Sequence, residues 1–99
     1  SINENTINYF IDSLKTDLTN NVEYNEWSGE IILTLLEFHT NDFTSALNKV
    51  NKPEKINFII NKIENPINDS YSLDTNMIKD ESKINDLIIK AIKIANKKI

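Results

Sequence analysis

The chain has 99 residues, 39% of them apolar and 26% charged, with a net charge of −4 and no cysteine. That length fits one domain, residues 1–99, and can bury a core without disulfides or a structural metal. The lack of cysteine excludes thiol nucleophiles and thiolate metal sites. No run approaches the roughly 18 apolar residues a membrane span requires.

One glycine and two prolines leave little material for the tight turns of a β-protein. The apolar spacing is mostly helical. Ile7, Phe10, Ile11, Leu14 and Leu18 form one stripe, which predicts a helix over about 6–19, with Asn5 or Thr6 as its cap and Thr19–Asn21 as its end. A second helix is expected over 26–39, capped by Asn25 or Ser28, with Ile31, Ile32, Leu35 and Phe38 facing the core. Thr40 reads as the cap of a third, over 41–51, carrying Phe43, Ala46, Leu47 and Val50 on one face. The second and third segments can also be read as one kinked helix.

Pro53 stands where proline suits the first turn of a helix. Ile56, Ile59, Ile60 and Ile63 then give a stripe over 53–65, which Pro66 ends. Residues 66–76 are turn-formers. A last helix is expected over 80–97, with Asp80 as cap and Ile84, Leu87, Ile88, Ala91, Ile94 and Ala95 as its apolar stripe. The fold expected is therefore all-α, a compact antiparallel bundle of four or five short helices.

Isoleucine occurs 17 times and asparagine 16 times, and all 11 basic residues are lysine. Base composition of an A+T-rich genome explains the skew, but its consequence is physical. Without arginine there is no bidentate fork for phosphate or guanine, so nucleic acid is not an expected partner. The charge is also uneven. Residues 1–50 carry eight acids and two lysines, a net of −6, whereas residues 51–99 carry seven acids and nine lysines, a net of +2. Such asymmetry bears on partners and association rates, not on fold.

Motifs for chemistry are mostly absent. Glu37 precedes the single His39 by two, about 200° away on a helix, so no Glu-x-x-His metal pair exists. Residues 68–76 lack the glycine and closing glutamate of a calcium loop. His39 falls on the apolar arc of its helix, where a packed or C-terminal-turn histidine is the ordinary reading, not a catalytic one. Asp12-Ser13-Leu14 resembles the serine motif of acyl carrier proteins over three residues, but it lies inside the first helix instead of opening the second. No catalytic residue, cofactor or metal is assigned.

One surface remains. Glu23, Glu26, Glu30 and Glu37 share about 60° of the second helix, with Thr34 on the same side and Tyr24 and Trp27 at the rim. Aromatic anchors within a charged surround are typical of interface hot spots. The four acids also repel one another, at a mild cost in helix stability. Against this stands the plain reading, a solvated face with Trp27 anchoring the edge of the core. In the last helix Lys83, Lys90, Lys93 and Lys97 form a second charged face, best read as solvated.

The function expected is non-enzymatic: a small acidic module that binds and neutralises a basic protein such as a toxin nuclease. The analogy is to colicin-type immunity proteins and rests on size, class and charge, with no shared motif. The alternatives are an adaptor domain of a larger assembly, docking through an apolar helix groove, and an enzyme or carrier. The expected compartment is the cytoplasm, although Ser1 in place of a methionine is compatible with a removed signal segment.

Overall fold

In the computed structural model, residues 2–18 and 20–64 are described, and every regular element among them is helical. They are α1 (Glu4–Ser13), α2 (Val22–Phe38), α3 (Thr40–Asn48) and α4 (Pro53–Glu64). The expected helix over 80–97, its lysine face and the loop over 66–76 lie outside the described residues.

Asparagines start the first two helices, α1 two residues and α2 four residues earlier than the apolar stripes indicate. Asn3 Oδ1 accepts the Thr6 N–H at 3.0 Å, and Asn21 Oδ1 accepts the Tyr24 N–H at 2.9 Å. Each side chain satisfies an amide that the first helical turn leaves open. Neither Asn5, Thr6, Asn25 nor Ser28 is the cap, because all four lie within helices.

The end of α1 departs most from expectation. The helix stops at Ser13, not near residue 19, and Leu14 turns to an extended backbone. Polar groups at and just past its end are met partly by its own last turn and partly by later helices. Lys55 of α4 donates to the Asp12 carbonyl, the Lys15 N–H goes to the Tyr24 hydroxyl, and the Ser13 hydroxyl takes the Phe10 carbonyl. The cation at this helix end also suits the negative pole of the dipole. Leu14 still reaches the core, and Leu18 packs against it from the loop.

α2 and α3 are two helices joined by His39 alone. The His39 N–H donates to Leu35 at 2.9 Å and its carbonyl accepts from Phe43 at 2.8 Å, so hydrogen bonding runs through the joint. Thr40 is not the cap of α3. It is the first residue of that helix, and its hydroxyl donates back to the Leu36 carbonyl at 2.7 Å, closing the end of α2.

The core is built from Ile7, Phe10, Ile11 and Leu14 of the first segment, Tyr24, Ile31, Ile32 and Leu35 of α2, Phe43 and Ala46 of α3, and Ile59 of α4. Fully burying each aliphatic or aromatic side chain contributes about 1.5–3 kcal/mol. α1 packs on α3, and α2 packs on both α3 and α4. Lys49 at the end of α3 pairs with Glu4 at the start of α1, so those helices run in opposite directions. Likewise Lys62, near the end of α4, meets Asn25 in the first half of α2.

α4 is rotated from the face its isoleucines mark out. Ile59 is fully buried and Ile56 and Ile63 are half-buried, but Ile60 is 42% exposed. Lys62 lies inside instead, at 7% exposure. Gly29 of α2 leaves the room: a Cβ there would sit 3.6 Å from the Lys62 Cδ.

Candidate interaction face

The outer side of α2 carries the acids, because its opposite side is consumed by the core. Tyr24, Ser28, Ile31, Ile32 and Leu35 are all buried there, and Thr34 is buried too although it shares the side of the acids. Glu23 and Glu37 are exposed, while Glu26 and Glu30 are half-buried between them. The four therefore share one side of the helix, with Glu23 and Glu37 at its two ends. Trp27 is half-buried and packs against the core, as an edge anchor does, and both Trp27 and Glu30 have partners within the chain.

Tyr24 does not belong to this face. Its side chain is 1% exposed, and its hydroxyl is held by the Lys15 N–H at 2.9 Å. The Tyr24 side chain is directed to the core and to Lys15 in the loop after α1, so position 24 points inward where a rim aromatic was expected. Burial pushes the phenol above its ordinary value of 10.0; the Lys15 hydrogen bond opposes this in part, and the negative charge of Asp17 adds to it. Thr34 is also buried, with its hydroxyl donating to the Glu30 carbonyl at 2.8 Å.

His39 is half-buried at the α2–α3 joint, and its side chain caps neither helix. It is the residue between the two helices, following the last residue of α2 and preceding the first of α3. Ser13 is the last residue of α1, with its hydroxyl turned to its own helix, so the Asp-Ser-Leu triplet does not open a helix. Among the described residues no group of three or more potential metal ligands converges, and no helix is long and apolar enough to cross a membrane.

Beside the first turn of α2 lies an open depression whose lining includes Asp17, Leu18, Val22 and Glu23. Val22 is 68% exposed, so an apolar side chain stands next to two carboxylates at this corner.

The residue that sequence reasoning missed is Lys62. Its ammonium donates to Asn25 Oδ1 at 2.9 Å and lies 5.0 Å from the centre of the Phe58 ring. Burial lowers its pKa from the ordinary 10.5. A lysine beside an isoleucine stripe reads as a solvated flank. Only the pairing of α4 with α2, which sets Asn25 opposite the ammonium, reveals why it is inside. Compared with family models, with curated proteins and with solved structures, the chain matches none.

Proposed function

We propose that the chain is a non-enzymatic interaction module that binds a basic protein through the acidic side of α2, in the manner of an inhibitor that neutralises a cationic toxin. The observation that carries the reading is the surplus of negative charge in residues 1–50, a net of −6, with Glu23 and Glu37 exposed on one helix side and Glu26 and Glu30 between them. Trp27 at the edge of that side supplies apolar area of the kind interface anchors use. The corner formed by Asp17, Val22 and Glu23 extends the acidic surface around the start of α2. Tyr24 has no part in the contact.

Such a face attracts a cationic partner at long range and accelerates encounter, an effect that salt screens. The test is the triple replacement of Glu26, Glu30 and Glu37 by Gln, with association rates measured over a range of salt against the basic product of the adjacent reading frame. The expected result is a slower on-rate and a flatter salt dependence. Unchanged affinity and unchanged salt dependence in the folded variant would overturn the reading.

A second reading, an adaptor that docks through apolar contacts, draws support from Tyr9, Val22 and Ile60, three large apolar residues left exposed on α1, α2 and α4. Binding insensitive to salt but lost on Val22→Asp or Ile60→Asp distinguishes it.

A further inference from the structure

α4 buries a lysine and exposes an isoleucine, the reverse of what the hydrophobic effect alone favours. Something specific must hold it in that rotation. The contacts of Asn25 identify it. The Asn25 Nδ2 donates to the Leu18 carbonyl at 2.9 Å and to the Asn21 carbonyl at 2.8 Å, while its Oδ1 accepts from Lys62 at 2.9 Å. An amide can be turned end for end at little steric cost, but an ammonium has three donors and no acceptor. Turned over, Asn25 would set a donor against the ammonium and its oxygen against two carbonyls. The ammonium and the two carbonyls thus require the same orientation of the amide, and Lys62 adds the third contact that holds Asn25 to the loop between α1 and α2.

We propose that Lys62 is a donor-only clamp: it holds the amide of Asn25 and through it Leu18 and Asn21, on either side of the turn into α2, and α4 is turned off its isoleucine stripe to deliver this lysine. A separate feature agrees with it: the Phe58 ring lies 5.0 Å from the ammonium, where its face attracts the cation. The loop so held carries Asp17 and leads into Val22 and Glu23, so the shape of that corner depends on a residue of the fourth helix. The clamp stands whether or not the corner binds a partner.

The test is residue-resolved amide hydrogen exchange on the full chain, comparing the native protein with Lys62→Met, which keeps an apolar stem of similar length and removes the donor. The Lys15 and Asn21 amides, bonded to Tyr24 and Leu18 within the loop, are expected to exchange roughly fivefold to tenfold faster, the loss of about one hydrogen bond's worth of order. The Ile7 and Phe43 amides, at the starts of α1 and α3, are expected to keep their rates. Native rates at Lys15 and Asn21 would overturn the proposal, and so would equal acceleration at Ile7 and Phe43, which would mark a merely global loss of stability. If Lys62→Met does not fold, Asn25→Asp decides. Asn25→Asp keeps the acceptor for Lys62 and removes the donor to the Leu18 and Asn21 carbonyls, so the loop amides are expected to speed up, and unchanged loop exchange overturns the clamp.

Discussion

The phenolic oxygen of Tyr24 accepts the backbone N–H of Lys15 at 2.9 Å, nine residues earlier in the chain. One side chain thus closes the loop that follows α1 while its ring fills the core beneath. Tyr24→Phe keeps the ring and strands the Lys15 amide, and should cost about 1–3 kcal/mol. Its alkaline behaviour should change too. The folded phenol holds its proton above the ordinary value of 10.0, whereas the unfolded chain releases it there. The native protein therefore loses stability as pH rises above 10, and Tyr24→Phe should lack that part of the loss. Urea unfolding at a series of pH values between neutral and 11 measures both effects.

Lys62 acts with the opposite sign. Its folded pKa lies below the ordinary 10.5, so in the window beneath 10.5 the unfolded chain binds more protons than the folded one. Stability from this group rises with pH across that window and falls away toward neutral pH. The stability of Lys62→Met relative to the native protein should thus be greatest near neutral pH and shrink as pH approaches 10.5. A difference independent of pH, from denaturant midpoints of both proteins, would show that the ammonium carries no desolvation cost.

The helix starts can be located by mutation. Asn3→Ala and Asn21→Ala should each cost about 1 kcal/mol, the usual loss of a capping acceptor. Asn5→Ala, inside α1 and exposed, should change stability by less than about 0.5 kcal/mol. Thermal unfolding monitored by circular dichroism separates the two cases. Equal effects at Asn3 and Asn5 would contradict the cap assignment.

The rotation of α4 makes two isoleucines in adjacent positions unequal. Ile59→Ala should destabilise by about 2–5 kcal/mol, as a core deletion does, and Ile60→Ala by no more than about 1 kcal/mol. Gly29→Ala should be tolerated or slightly stabilising, because the added Cβ meets the Lys62 stem at an ordinary distance and alanine gains up to about 1 kcal/mol in helix propensity. Gly29→Leu should force the α2–α4 contact apart. Chemical denaturation of the four variants ranks them, and equal losses at Ile59 and Ile60 would rule out this register.

Much of the fold follows from local pattern. The 3.6-residue spacing of Ile7, Phe10 and Ile11, of Ile31, Ile32 and Leu35, and of Phe43 and Ala46 determines that these segments are helical and which sides turn inward. Pro53 locates the start of α4 through its fixed φ and missing N–H. The acids of α2 lie on its outer side for the same reason: once the apolar arc is placed, the remaining arc faces away.

Other features depend on groups distant in the chain, and no local pattern encodes them. α1 ends at Ser13 because Lys55 and Tyr24 take up backbone groups at its end, and both come from later helices. Tyr24 moved from the expected rim into the core because its hydroxyl had a backbone partner there. Lys62 went inside and Ile60 outside where Asn25 offers an acceptor and the Lys62 stem packs beside Gly29, a match that exists only when α4 lies against α2. Periodicity, caps and net charge are properties of neighbours along the chain. Helix rotation, loop closure and the fate of each polar atom are settled by tertiary pairing, because a buried donor or acceptor must find its partner wherever the fold brings one.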